Sequence, residues 1–153
     1  SYFSSTTWKI KEKFIPKIIT SILNKEKVPL YGSGENRRDW IHVTDHCDGI
    51  WAAAIAGKSG DIYNFGGNSE YANIDIIRLV TSKIEPDSSP NKYIDFVVDR
   101  KGHDFRYAID FSKASNKLSW KPKILFDEGI RQTIEWYKDN WNEMGSPALT
   151  YAL

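Results

Sequence analysis

Tyr93-Ile94-Asp95-Phe96-Val97-Val98-Asp99-Arg100-Lys101-Gly102-His103-Asp104-Phe105-Arg106-Tyr107-Ala108-Ile109-Asp110 is the segment from which the architecture of this chain can be read. Tyr93 to Val98 is apolar and broken by one aspartate, a pattern that predicts a strand. The residues after it crowd two arginines, a histidine, three acids and one glycine into a turn. Charge of both signs at a strand end suits an anionic ligand. Planar guanidiniums bind phosphate oxygens two at a time, and carboxylates hold the guanidiniums in place. Taken alone, the same residues read first as a solvated loop with surface ion pairs.

A second cluster changes the balance. Val28-Pro29-Leu30-Tyr31-Gly32-Ser33-Gly34-Glu35-Asn36-Arg37-Arg38-Asp39-Trp40-Ile41-His42-Val43-Thr44-Asp45 predicts a short strand, a Gly-x-Gly turn, a basic pair and a second strand over Trp40 to Val43. Asp39 beside Arg38 is expected to orient it. The turn is not a dinucleotide fingerprint, because it lacks the third glycine and leads into a strand instead of a helix.

The flanking sequence supplies helices at regular intervals. Phe14, Ile15, Ile18, Ile19, Ile22 and Leu23 recur at helical spacing and predict a helix over Lys11 to Lys25, with Pro16 in its first turn. Thr44 is expected to cap a helix from Asp45 to about Ala56. Ile50, Trp51, Ala54 and Ile55 would face inward, and Gly57 would stop it. Asp61 to Phe65 predicts a strand. Asn73 is expected to cap a third helix running to about Ile84, buried along Ile76, Ile77, Val80 and Ile84. Ser112 to Leu118 predicts a short helix. A long one follows from Asp127, with Ile130, Ile134, Tyr137 and Trp141 on one face. Strands alternating with helices predict an α/β layer structure. Residues 1–10 are expected to be a loose segment, 11–142 the folded domain, and 143–153 a flexible tail broken by Gly145-Ser146-Pro147.

Composition bounds the function. The chain has 153 residues, 41% of them hydrophobic and 27% charged, which suits one globular domain. A net charge of +1 without a basic block excludes a general nucleic-acid binder. The single cysteine, Cys47, rules out an internal disulfide and fits a reducing compartment. No apolar stretch approaches a membrane span. Ser1 to Thr7 has neither the charged nor the apolar part of a signal peptide, so the expected location is cytoplasmic. His42 and His46 lie four apart across a strand-to-helix junction, without other ligands at metal spacing, and no metal site is expected.

Four motifs in order carry a resemblance. They are Tyr-Gly-x-Gly-x-x-x-Arg-Asp-Trp at Tyr31 to Trp40 and Tyr-Asn-x-Gly-Gly at Tyr63 to Gly67. Asp-Arg-x-Gly-His-Asp-x-Arg-Tyr-Ala-Ile-Asp follows at Asp99 to Asp110, and Gly129 to Tyr137 closes the series. Together they resemble the nucleotide-sugar 4,6-dehydratases, extended short-chain dehydrogenase/reductase enzymes, over about Lys11 to Trp141. The resemblance implies the small mixed α/β substrate-binding lobe of such an enzyme. It implies NAD as cofactor of the parent, held on a Rossmann half this chain lacks, and a homodimeric parent. The ligand implied is a dTDP-sugar or related nucleotide sugar. In such enzymes NAD takes a hydride from C4, water leaves across C5 and C6, and the hydride returns to C6. Neither Gly-x-x-Gly-x-x-Gly nor Tyr-x-x-x-Lys occurs here: Tyr107 is followed by Phe111 and Tyr137 by Trp141 at the lysine position. No catalytic residue is therefore expected in this chain, and binding is.

The resemblance places substrate contacts on Arg38, Asn73, and the segment Asp99, Arg100, Lys101, Gly102 and His103. Lys101 departs from the proline usual there. It also places the nucleotide along Lys13, Phe14, Ile15, Pro16, Lys17 and Ile18, and along Pro29, Leu30 and Tyr31. The alternatives are plain ones. Arg38 would pair with Asp39 or Asp45, Asn73 would cap its helix, His103 would cap a turn, Lys17 would be solvated, and Tyr31 would pack within its strand. Phe3 to Trp8 departs completely from the family pattern, and no function is carried onto it. A sister epimerase or decarboxylase, or a stand-alone nucleotide-sugar-binding module, remain alternative parents.

Overall fold

The computed structural model describes residues 13–141, so the segments expected to be loose, 1–10 and 143–153, lie outside the described residues. In chain order the elements are α1 (Phe14–Leu23), β1 (Val28–Tyr31), β2 (Arg37–Asp39), α2 (Val43–Ala56), β3 (Glu70–Ala72), α3 (Asn73–Ile84), β4 (Ile94–Val97), β5 (Arg106–Tyr107), α4 (Ser112–Leu118) and α5 (Phe126–Asp139). β1 pairs in parallel with β4, Val28 opposite Ile94. A separate three-stranded sheet runs β3-β2-β5, antiparallel on one side of β2 and parallel on the other.

The core forms where α1, α3 and α5 pack on one another and on β1. Ile18, Ile19 and Ile22 of α1, Ile76, Ile77 and Val80 of α3, and Ile130 of α5 are all fully buried. Each set recurs at three- and four-residue spacing, so one stripe of each helix meets the others. The helices read from the sequence stand here with shifted ends: α1 stops at Leu23, short of Lys25, α3 takes in Asn73, and α5 starts at Phe126, one residue before Asp127. Thr81 joins the α3 stripe because its hydroxyl donates to the Ile77 carbonyl at 2.8 Å, which removes the cost of burying it.

Other expectations change. The strand lies at Arg37–Asp39, and Trp40 to His42 is not extended into a ladder. α2 begins at Val43 with His42 as its cap, whose Nδ1 accepts from the Thr44 amide at 3.3 Å, so Thr44 is not the capping residue. Asn73 is the first residue of α3, not its cap. Ala72 is still paired with Arg37 in β3, and the Asn73 amide donates to the Asn36 carbonyl at 3.0 Å. Asp61 to Phe65 forms no strand. It has no ladder partner among the described residues, and Ile62 is 79% exposed.

α2 is the largest departure. Ile50, Trp51 and Ile55 are exposed at 53%, 69% and 69%, and Ala54 is exposed as well. The side turned to the rest of the chain carries Asp45 and Gly49 instead. Asp45 is buried, and one of its carboxylate oxygens accepts from the amides of Lys123 and Ile124 at 3.0 and 2.9 Å. Its carbonyl accepts from the Trp120 indole at 3.0 Å. These bonds fix the 120–124 loop on α2. Trp120 in turn packs edge-on against Phe65 and Phe111.

Asp45→Ala strands two part-buried amides and empties a buried site, and it is expected to cost about 2–4 kcal/mol as a shift of the urea midpoint, with Asp45→Asn losing clearly less.

Candidate functional site

An open cleft of about 970 Å³ runs between α1, β1, β2 and the 98–105 loop. β1 ends in the turn that carries Gly32 and Gly34. Gly34 has φ +77°, and a Cβ there would stand 2.6 Å from Leu30, so a side chain is excluded twice over. That turn lets β2 leave the first sheet and bring Arg38 back to the cleft.

Helical geometry sorts the α1 residues. Lys13, Phe14 and Lys17 line the cleft. Ile15, Pro16 and Ile18 do not: all three are buried, Ile15 and Ile18 in the hydrophobic core. A continuous run on a helix cannot present every side chain to one ligand. Pro29, Leu30 and Tyr31 of β1 line the cleft, as do Arg38, Asn73, Arg100, Lys101, Gly102 and His103. Asp99 lies behind the lining, against His103. Trp40, Asp104 and Tyr107 also line the cleft and were not singled out from the sequence, although Trp40 closes Arg-Asp-Trp and the other two sit inside the Asp99–Asp110 motif.

The two arginines share this cleft but are held differently. Arg38 spends its terminal nitrogens on the protein. Nη1 donates to the carbonyls of Arg37 and Phe105 at 2.7 and 3.3 Å. Nη2 donates to the Asp104 carbonyl at 2.8 Å and meets His103 Nε2 at 3.1 Å. The guanidinium also lies 4.6 Å above the Tyr107 ring. Neither Asp39 nor Asp45 is its partner. Successive residues of a strand point to opposite faces, and the Asp39 carboxylate accepts from the amides of Gly67 and Ser69 at 3.0 and 2.8 Å on the other side of β2. Gly67 must be glycine, since a Cβ would fall 1.6 Å from the Trp40 carbonyl oxygen.

Arg100 is exposed, with its guanidinium 4.8 Å over the Tyr31 ring. One face of Tyr31 is thereby occupied by a cation, and a base would have to take the other. His103 meets the same ring edge-on at 6.1 Å. Its hydrogen bond to Asp99 is the main reason that carboxyl titrates below its usual range. The Tyr107 hydroxyl donates to the Asp104 carboxylate, which raises the phenol's pKa and keeps it protonated. The cleft thus offers fixed cations and hydrogen-bond donors, with no activated base.

The Gly32-Ser33-Gly34 turn opens into a strand, and no helix N-terminus follows it to receive a pyrophosphate. Among the described residues no three histidine, cysteine, aspartate or glutamate side chains gather as a metal site, and no helix is long and apolar enough to cross a membrane.

Comparison with known proteins gives these residues a lineage. The family model described as GDP-mannose 4,6 dehydratase matches residues 3–133, reaching into the N-terminal stretch where no motif was read. A dTDP-glucose 4,6-dehydratase of Actinoplanes is 43% identical over 129 residues, covering 84% of this chain and 39% of that protein. The crystal structure of dTDP-glucose 4,6-dehydratase from Bacillus anthracis, in complex with NAD, superposes with a TM-score of 0.79 at 41% identity, over 86% of this chain and 41% of that one. The Streptomyces venezuelae enzyme of the same name, also solved with NAD bound, gives a TM-score of 0.81 at 36% identity over 87% and 40%. The chain spans about two fifths of the length of these relatives.

Arg38→Ala removes every bond between its guanidinium and the 103–105 loop. Exchange of the Arg37 amide, which donates to the Phe105 carbonyl at 2.7 Å, is expected to quicken by about tenfold or more by hydrogen-exchange measurement.

Proposed function

This chain belongs to the GDP-mannose 4,6 dehydratase family, and from that premise we propose that it is the substrate-binding portion of an NAD-dependent dTDP-glucose 4,6-dehydratase. The parent lyase converts dTDP-glucose to dTDP-4-keto-6-deoxyglucose and water, and we take it to be a cytoplasmic homodimer. NAD supplies the hydride chemistry from polypeptide outside this chain. This chain's own residues bind and orient, and alone it turns nothing over.

The observation that carries the reading is the convergence of Arg38 and Arg100 on one cleft from two different sheets, with Lys13, Lys17 and Lys101 on its walls. A nucleotide diphosphate sugar carries two negative charges on its bridging phosphates. The exposed fork of Arg100 matches two phosphate oxygens at once and stays charged at any working pH. Arg38 fixes the loop from which Arg100, Lys101 and His103 project. The Asn73 amide and the aromatic rings of Tyr31, Trp40 and Tyr107 offer polar and flat surfaces to ribose and base. Holding a sugar in one orientation supplies part of the barrier reduction without any proton transfer here.

We further propose that the rest of the parent covers the exposed face of α2 and residues 61–65. Ile50, Trp51, Ile55 and Ile62 are apolar and exposed among the described residues, and Asp61 to Phe65 has the composition of a strand without a ladder.

Calorimetric titration with dTDP is expected to show binding to the folded chain, weakened about tenfold or more by Arg100→Ala, since a hydrogen-bonded charge contact is worth about 1.5–3 kcal/mol. A folded chain that gives no heat with dTDP refutes this reading. For the covered face, Trp51→Glu in the full-length parent is expected to lower stability by about 2 kcal/mol or more through burial of an unpaired charge, while dTDP affinity of the present chain is unchanged.

A further inference from the structure

We propose that His103 is a positioning residue: in its neutral form it accepts a hydrogen bond from Arg38, holds that guanidinium in the cleft wall, and lets it go when protonated. The proposal rests on the reading of the cleft as a diphosphate-sugar site and adds to it a proton-sensitive support.

Hydrogen-bond chemistry fixes the tautomer. Arg38 Nη2 lies 3.1 Å from His103 Nε2. A guanidinium has only donors and keeps its proton throughout the working range. Nε2 must therefore carry the lone pair. The ring proton is then on Nδ1, which stands 2.7 Å from Asp99 Oδ1, and an ionised carboxylate can only accept. One tautomer satisfies both contacts, and the other places two N–H groups against each other. Asp99 is itself held, since its Oδ1 also accepts from the Arg100 amide at 2.8 Å. The order Asp99, His103, Arg38 is thus a directed chain from an anchored acid to a cation in the cleft. A carboxylate that orients an imidazole through Nδ1–H while Nε2 acts elsewhere is a recurrent arrangement.

The same geometry removes His103 from the phosphate contacts. Both ring nitrogens are engaged, and the side chain is only 12% exposed. The charged and titratable groups around it come from each neighbouring element. β1 gives Tyr31, β2 gives Arg38, and the loop gives Asp99, Arg100, Lys101 and Asp104. The Asp104 carboxylate is turned to the Tyr107 hydroxyl. The hydrogen bond from His103 keeps Asp99 ionised well into acid. His103 is then the member of this chain whose proton decides the contact to Arg38. Protonation replaces an acceptor with a second cation, and Arg38 is left with carbonyls alone.

The test uses the full chain. Nitrogen-15 spectra of the histidine rings at pH 8 are expected to show His103 neutral with its proton on Nδ1. Affinity for dTDP-glucose, whose bridging phosphates keep their charge over this range, is expected to fall about fivefold between pH 8 and 5.5. His103→Gln offers an amide oxygen near the Nε2 position and is expected to keep affinity within about twofold with a flat pH profile, whereas His103→Leu loses about tenfold at every pH. Thermal unfolding checks that both variants fold. A proton on Nε2, affinity that rises on acidification as a direct phosphate contact demands, or equal loss in both variants would each overturn the proposal. Wild type that shows the expected tautomer but no affinity for dTDP-glucose at pH 8 sinks the diphosphate reading of the cleft instead, and with it the proposed role of His103 there.

Discussion

The Arg38 guanidinium is the contact on which the site depends. Two of the carbonyls it meets, those of Asp104 and Phe105, belong to the loop that leads into β5, and they also accept from the Asn36 side chain and the Arg37 amide. β5 is two residues long and pairs only with β2. A two-residue strand offers too few ladder bonds to specify a register by itself. Four contacts from one rigid cation do so, because the fork geometry admits a single placement of the carbonyls around it. Gly66 and Gly67 support the other edge of β2 through the Asp39 carboxylate and the close approach to Trp40. The sheet that carries the loop is thus organised by side chains as much as by backbone.

This explains what could be read from the sequence and what could not. α1, α3 and α5 were legible because their apolar stripes meet within the chain, and local period then agrees with tertiary packing. β1 was legible for the same reason, with Val28 and Leu30 buried, whereas β4 pairs with it although Phe96 is exposed. β3 and β5 were not. Glu70 to Ala72 and Arg106–Tyr107 are too short for a period, and their pairing is fixed by remote partners: Arg106 chelates the Glu70 carboxylate at 2.7 and 2.6 Å across β2. Arg38, Arg100 and His103 stood out as chemistry, yet their roles separate only in three dimensions. Alternation along β2 sends Asp39 away from Arg38, a consequence of the strand lying at Arg37–Asp39 and not at Trp40 to Val43. The motif named the loop, and the fold decided which of its members face the cleft.

α2 and residues 61–65 mark the other limit. The helix period marks Ile50, Trp51 and Ile55 as the inward face, yet all three are exposed, and Asp61 to Phe65 has the composition of a strand but forms none. What periodicity does not contain is the identity of the covering surface. An amphipathic stripe says only that burial is favourable, by about 25 cal/mol for each Å² removed from water. In a chain that spans about two fifths of its relatives, the stripe and the unpaired segment lie side by side in sequence, and both are left open.

A near-neutral chain can still hold a cationic cleft if its acids are committed elsewhere, and here they are. Asp39 serves backbone amides, Glu70 is chelated by Arg106, and Asp99 accepts from His103 and the Arg100 amide. Asp104 lines the cleft, but its carboxylate is met by the Tyr107 hydroxyl. Lys13, Lys17 and Lys101 add further positive charge on the walls. Net charge therefore understates the local field, which is set by where each acid finds its partner. The acids of the Asp99–Asp110 motif act as scaffolding: Asp99 places His103, Asp104 places Tyr107, and Asp110 holds Ser112 at the start of α4. An anionic ligand then meets cations already oriented and does not bear the cost of ordering them.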